Sequence, residues 1–194
     1  MNLSVFVFKM KVLLFKAWHK MAKVFLSLGS NKGDRAHYIA AMERRLKSVL
    51  LPPVKRSRLM KTEPVGVEGK QRWFYNRVIC GGYRNSVRGL LSQCKEIETA
   101  LGRTHKKKLA SRTADVDILF FGNSIITEKD LVVPHPRIRK RRFCLEGLAE
   151  LAPNYKVPGM RLTVSQLYSN MTSAVRRQKV AFMTTQAHSA RGAK

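Results

Sequence analysis

Over residues 23–28, large apolar side chains alternate with smaller or polar ones, the period of two that a strand requires. The run breaks off in Gly29-Ser30-Asn31-Lys32-Gly33-Asp34-Arg35, a turn-rich loop. The period then changes. Ile39, Met42, Leu46, Val49 and Leu50 recur at helical spacing, which predicts a helix over 36–50, with Asp34 as its N-cap and Pro52-Pro53 as its stop. A second strand is expected within 54–62, a loop over 64–72, and a third strand over 73–83, bulged or bent at Gly81-Gly82. Ser86 caps a second predicted helix that reaches Leu101, with Val87, Leu90, Leu91, Cys94, Ile97 and Leu101 on its buried stripe and Gly102 as its stop. Residues 114–121 form a strong fourth strand that ends at Gly122-Asn123. A hairpin-like stretch then runs to Pro134-His135-Pro136, followed by a basic loop over 137–142, a short helix over 143–151 closed by Pro153, and a last helix over 164–170.

From the first strand the order is β-α-β-β-α-β with C-terminal additions. This predicts an α/β (α+β) chain with a ferredoxin-like core, its antiparallel or mixed sheet covered by helices. A length of 194 residues suits one such domain, expected over 23–171. Residues 1–22 lie outside the pattern and read as a non-core leader, with translation expected to begin at Met21. Lysines cut the leader so often that no clean apolar run exceeds four residues, as in Val12-Leu13-Leu14-Phe15, too short for a signal-peptide core. Residues 172–194 carry Arg176, Arg177, Lys179, Arg191 and Lys194 without an acid, and read as a basic disordered tail.

Charge narrows the partners. Thirty-eight Lys and Arg against twelve Asp and Glu give +26, so the chain should meet an anion: a nucleic acid, a phosphate-rich ligand or an acidic surface. The cysteines Cys80, Cys94 and Cys144 form no C-x-x-C pair and are odd in number, which argues against a disulfide framework and for a reduced, cytoplasmic compartment. No transmembrane segment and no zinc spacing is present in the sequence.

The chemistry gathers around Asp115 and Asp117. Two residues apart on a strand, their side chains share a face, while Ala114, Val116, Ile118 and Phe120 point the other way. Carboxylates so close repel one another, and Mg²⁺ between them would relieve this. The plainer reading is two ordinary carboxylates, each bridged to an arginine. Arg112 follows a basic run that starts at Arg103, and carboxylates beside such a cluster suit phosphoryl transfer. The Gly29–Asp34 loop meets a helix N-terminus, where anions bind, but no Walker motif is present. Phe74, Tyr75 and Asn76 form an aromatic-plus-amide cluster, and Phe143 follows the second basic loop; rings with one amide suit a flat heterocycle, though each Phe alone reads more simply as core. His135, between two prolines, reads alone as a turn residue.

Together these motifs resemble the 6-hydroxymethyl-7,8-dihydropterin pyrophosphokinase family of folate biosynthesis, over about residues 23–153. The resemblance is carried by Gly29-Ser30-Asn31-x-Gly33-Asp34-Arg35; Thr62-Glu63-Pro64-Val65-Gly66; Phe74-x-Asn76; Ile97-Glu98 with Leu101-Gly102-Arg103; Arg112-Thr113-x-Asp115-x-Asp117-Ile118-Leu119; and Pro134-His135-Pro136-Arg137 with Arg141-x-Phe143. It implies transfer of pyrophosphate from ATP to the hydroxymethyl group of the dihydropterin, releasing AMP, with two Mg²⁺ ions held by Asp115 and Asp117. It implies ATP contacts from Arg103, Arg112, His135 and Arg141, with Glu98 near the nucleotide. Arg103, Arg112, Asp115 and Asp117 would carry the catalysis. Thr62, Val65 and Asn76 would bond the pterin edge, and Phe74 and Phe143 would sandwich its ring. Family members often carry Trp-Gly-Pro, or a Gly-Pro variant, just before the arginine matching Arg112; here the residues are Leu109-Ala110-Ser111. No obligate protein partner is implied, and nucleic-acid contact by the basic tails would be incidental. The alternative from a different class is a basic ferredoxin-like RNA-binding protein, although the aromatic sheet motif of RNA-recognition modules is missing.

Overall fold

The computed structural model describes residues 21–66, 71–103 and 110–183. The expected leader before Met21, the middle of the first basic loop and the residues after Met183 lie outside these. Eight strands are described: β1 (Ala22–Ser30), β2 (Leu51–Arg56), β3 (Met60–Thr62), β4 (Phe74–Tyr83), β5 (Asp115–Phe121), β6 (Ile126–Glu128), β7 (Leu131–Val133) and β8 (Val180–Phe182). The helices are α1 (Arg35–Val49), α2 (Val87–Ala100), α3 (Arg142–Leu151), α4 (Val164–Ser169) and α5 (Ser173–Arg176). The main sheet runs β5-β1-β4-β3-β8, with β2 also on β4, and every pairing is antiparallel. That order, reached through α1 and α2, is the ferredoxin-like βαββαβ arrangement.

Alternation along the strands builds two layers. Val24, Leu26 and Leu28 of β1, Ile79 of β4 and Val116 and Ile118 of β5 face α1 and α2, whose Ile39, Met42, Leu46, Leu90, Cys94 and Ile97 complete one core. On the other face, Phe25, Val78, Cys80, Leu119 and Phe120 pack beneath Cys144, Leu145 and Leu148 of α3 and Leu167 of α4. The caps are as expected: Asp34 accepts from the His37 N–H at 3.0 Å and Ser86 from the Gly89 N–H at 3.1 Å. Glu43 sits among the buried residues of α1 and is paired with Arg77 of β4 and Arg56 of β2, which neutralise it.

Four expectations change. Pro52 and Pro53 do not merely stop the helix; they lie inside β2, an edge strand whose outer side needs no ladder donors. The single strand expected within 54–62 is split into β2 and β3. Gly81 and Gly82 cause no break in the β1–β4 register; the irregularity lies opposite, between Leu51 and Lys55 of β2. Glycine eases the close approach there: a Cβ on Gly81 would stand 3.1 Å from the Leu51 carbonyl oxygen. In β5 a bulge opposite Phe25 and Leu26 shifts the register, so Phe120 joins the α3 layer instead of facing with Val116 and Ile118.

The stretch from Thr172 is also not disordered as far as Met183. It forms α5 and then β8, which pairs with β3. Val175 and Met171 are buried in the α3 core, and these two apolar anchors hold a segment that reads as polar and basic.

Close packing of α3 on β4 fixes where the N-terminus of α3 sits. A Cβ on Gly147 would run into the Val78 side chain. Gly147→Ala should therefore destabilise the fold by about 1–3 kcal/mol despite the better helix propensity of alanine, read as a lowered denaturation midpoint.

Candidate active site

The second face of the sheet is only partly covered. Along β1 its side chains run Phe25, Ser27, Gly29: the first lies under α3, and the other two floor an open cleft. The β1–β5 register sets Ser27 against Asp117 and Gly29 against Asp115. The β1–β4 register sets Gly29 against Asn76. The cleft is thus lined by Ser27, Gly29, Asn76, Phe74, Asp115 and Asp117 from three adjacent strands. Thr62, Glu63, Val65 and Gly66 form one wall, and Arg137, Arg141 and Phe143 the other.

Gly29 lets the two halves meet. A Cβ there would stand 2.9 Å from Asn76 Oδ1 and 3.7 Å from Asp115 Cβ. Asn76 is buried and donates from Nδ2 to Thr62 Oγ1 at 2.7 Å. Phe74 and Phe143 are half-buried, and Val65 is 48% exposed. Rings, amide and hydroxyl therefore collect at one end of the cleft.

The other end is charged. Asp115 is bonded by Arg103 Nη1 at 2.6 Å through Oδ1 and by Arg112 Nη1 at 3.0 Å through Oδ2. Asp117 Oδ2 accepts from Arg141 Nη1 at 2.7 Å, with His135 Nε2 at 3.7 Å. His135 Nδ1 accepts the Arg137 N–H at 3.1 Å, so Nε2 carries the proton facing Asp117. Burial, reinforced by Asp117, raises the pKa of Asp115 against the pull of Arg112 and Arg103. Burial also opposes ionisation of Asp117, but His135, Arg141 and Arg137 outweigh it and hold that carboxyl below the usual range. Burial pulls His135 below the ordinary histidine value despite Asp117.

The structure brings most of the sequence-predicted residues to one cleft. Three stand apart from its lining. His135 lies behind Asp117. Arg103 borders an adjoining polar recess with Lys32, Gly102, Ala110, Ser111, Arg112 and Thr113. Glu98 is buried beneath Arg103: it bonds that guanidinium and takes the Val116 N–H at 2.7 Å through the same oxygen. Burial pushes its pKa up to about 7, against the pull of the Val116 N–H and Arg103.

Sequence reasoning gave no role to Asn31, Ser27, Glu63 or Arg137. Ser27 shares the parity of Gly29, so strand alternation alone could have found it. Asn31 is 1% exposed and clamps three loops. Its Oδ1 accepts the Arg112 N–H at 2.7 Å, its own N–H reaches the Arg112 carbonyl at 3.1 Å, and its Nδ2 donates to Gln71 Oε1 at 3.0 Å. No local sequence signal reports bonds spanning 40 and 81 positions.

Among the described residues, no three His, Cys, Asp or Glu side chains gather to hold a metal ion. Asp115 and Asp117 nonetheless fit Mg²⁺: they are oxygen donors on one face of the cleft, in the one-or-two-carboxylate number that Mg²⁺ uses when phosphates complete its shell. Among the described residues no helix is long and apolar enough to cross a membrane.

The ferredoxin-like sheet thus carries carboxylates and arginines at one end of one cleft and rings at the other. The sequence pattern of the family described as 7,8-dihydro-6-hydroxymethylpterin-pyrophosphokinase matches residues 25–153. The 2-amino-4-hydroxy-6-hydroxymethyldihydropteridine pyrophosphokinase of Methylorubrum extorquens is 36% identical over 140 residues, covering 72% of this chain and 88% of that protein. That of Bacillus subtilis is 37% identical over 128 residues, covering 66% and 76%. The crystal structure of Plasmodium falciparum HPPK-DHPS with pteroate superposes with a TM-score of 0.63 at 18% identity, over 81% of this chain and 45% of that one. The chain thus spans under half the length of that structure, and the likeness there is one of fold. The chain belongs to the 7,8-dihydro-6-hydroxymethylpterin-pyrophosphokinase family. The RNA-binding alternative gains no support from these relatives.

Asn31→Ala removes the shared anchor of Arg112 and Gln71. It should cost about 1–3 kcal/mol of stability, the scale of stripping buried hydrogen bonds, and should speed hydrogen exchange at the Arg112 amide.

Proposed function

We propose that this chain performs the family's reaction, moving the pyrophosphoryl group of ATP onto the hydroxymethyl oxygen of 6-hydroxymethyl-7,8-dihydropterin in folate synthesis, with the polyphosphate at the Asp115–Asp117 end and the pterin at the Phe74–Asn76–Phe143 end. One observation carries this division: a single cleft has guanidinium-ringed carboxylates at one end and rings with a buried amide at the other. The new bond forms between the hydroxymethyl oxygen and the β-phosphorus. The bond from that phosphorus to the oxygen bridging it to the α-phosphate breaks, AMP departs with the electron pair, and the hydroxymethyl proton passes to solvent.

Asn76 and Thr62 bond the edge of the pterin, helped by Val65 and its neighbouring backbone, while Phe74 and Phe143 hold its faces. Asp115 and Asp117 would hold two Mg²⁺ ions, whose charge would offset that of the polyphosphate. Arg103, Arg112 and Arg141 neutralise those carboxylates. The same three guanidiniums would contact phosphate oxygens of ATP, a task their planar forks suit better than lysine does. His135 supports this end from behind Asp117, with its Nε2–H facing that carboxylate. Glu98 acts one step back, as the buried group that aims Arg103. Charge stabilisation and alignment carry the step, so no protein general base is needed.

Asp115→Ala and Asp117→Ala should each lower kcat by at least about 100-fold, with pterin binding retained, in steady-state and equilibrium-binding assays. Near-normal turnover in both would overturn the assignment. Arg112→Lys and Arg141→Lys should each lose far more turnover than Arg139→Ala, whose exposed side chain lies on the outer side of the same basic turn. Equal losses at all three would mean a diffuse electrostatic patch. Chelation by excess EDTA should abolish turnover, and added Mg²⁺ should restore it.

A further inference from the structure

The two walls at the pterin end come from distant parts of the chain, and among the described residues one segment bonds to both. Thr172–Met183 lies beyond residue 153, where the family match ends. At one wall it pairs with β3: the Glu63 N–H donates to the Lys179 carbonyl at 3.2 Å, and Glu63 Oε1 accepts the Lys179 N–H at 2.9 Å. Glu63 itself lines the cleft, two residues before Val65. The far end of the pairing is closed by the Met183 N–H on the Leu59 carbonyl at 2.8 Å, and Arg58 stacks over Phe182 at 3.8 Å.

At the other wall the segment caps α3. The N-cap position of α3 is Arg141, which makes no capping bond with its side chain and is committed to Asp117. The first turn of a helix leaves N–H donors without partners. Gln178 supplies what Arg141 cannot. Its Oε1 accepts the Arg142 N–H at 2.9 Å, and its Nε2 donates to the Lys140 carbonyl at 2.8 Å. Arg142 answers by donating from Nη1 to the Arg176 carbonyl at 2.8 Å and the Gln178 carbonyl at 3.2 Å. Its Nε is held by Glu146 at 3.0 Å, and Tyr168 holds the other oxygen of that acid at 3.1 Å. Arg141 and Phe143 flank the capped residue on either side.

We infer that Thr172–Met183 is a strap that sets the spacing between the Glu63–Val65 wall and the Arg141–Phe143 wall, and that Gln178 is a positioning residue for the flat substrate held between them. Met171 and Val175 root the strap in the core, so its polar bonds act from a fixed base. The strap bonds Glu63, Lys140 and Arg142 and makes no bond to Asp115 or Asp117. Its loss should therefore loosen the grip on the pterin, while Arg141, tied independently to Asp117, keeps its place at the ATP end. This inference rests on the reading that places the pterin between Phe74 and Phe143.

The test uses the full chain with Gln178→Met, which keeps side-chain length and packing but removes both bonds, and Gln178→Glu, which keeps an acceptor at the helix N-terminus. Arg177→Ala, an exposed neighbour, controls for tail charge. Gln178→Met should raise KM for the dihydropterin about tenfold, the scale of losing one or two net hydrogen bonds. KM for ATP and kcat should stay within about twofold of the parent. Hydrogen exchange should speed up at the Arg142 and Glu63 amides. Gln178→Glu should recover most of the loss, and Arg177→Ala should match the parent. An unchanged pterin KM, or a parallel rise in both KM values with a lowered melting temperature, would overturn the strap. Phe143→Ala in the same assay separates the two ideas: if it too leaves pterin KM unchanged, the placement of the pterin fails and the strap inference falls with it. A raised KM in Phe143→Ala beside an unchanged one in Gln178→Met defeats the strap alone.

Discussion

Two carboxylates two residues apart on one strand are the constraint around which the site is built. Asp115 and Asp117 stand on the same face of β5 and are largely enclosed, so their charges must be met. Arg103, Arg112 and Arg141 meet them, and each arrives from a different place: the end of α2, the loop before β5, and the turn before α3. The pair is not symmetrical. Asp117 has a net surplus of positive neighbours, while Asp115 suffers burial and the field of Asp117. The two acids of one strand are thus held in different electrostatic surroundings, although only one residue separates them.

That cluster needs a bare strip of sheet, and the packing provides it. The face under α3 is filled as far as Phe25 and Val78; beyond them β1 offers only Ser27 and Gly29. A larger side chain at Gly29 would push Asn76 away from its place beside Asp115. The charged end and the ring end are thus adjacent because one residue has no side chain. Asn31 and Gln178 do comparable work at the periphery, one tying loops around the charged end and the other capping the helix that carries Phe143.

Basicity, so prominent in composition, turns out to be divided. Arginines around Asp115, Asp117 and Glu43 are spent on carboxylates, and Arg142 on backbone carbonyls and Glu146. Others, such as Arg58 over Phe182 and Arg35 over Tyr75, lie on aromatic rings. Net charge pointed to an anionic ligand, but it could not distinguish an arginine aimed at phosphate from one that holds the fold together. That distinction depends on which acid is within reach of which guanidinium.

Patterns of short range were legible in the sequence. Periods of two and 3.6 gave β1, α1, β4, α2 and β5, the caps Asp34 and Ser86, and the shared face of Asp115 and Asp117, because these follow from bonds and side-chain directions within a few residues. Motif order gave the family. What the tertiary structure decided was everything set by partners far along the chain. Phe120 was misassigned because a bulge depends on the opposing strand, and Pro52-Pro53 because an edge strand tolerates missing donors. That Glu98 lies buried against Arg103 and the Val116 N–H could not be read from its place on the helix, because those partners come from the next loop and strand. Thr172–Met183 reads as disordered because its own residues hold little apolar surface; its order comes from the edge of β3 and the uncapped end of α3, partners that no local pattern reports.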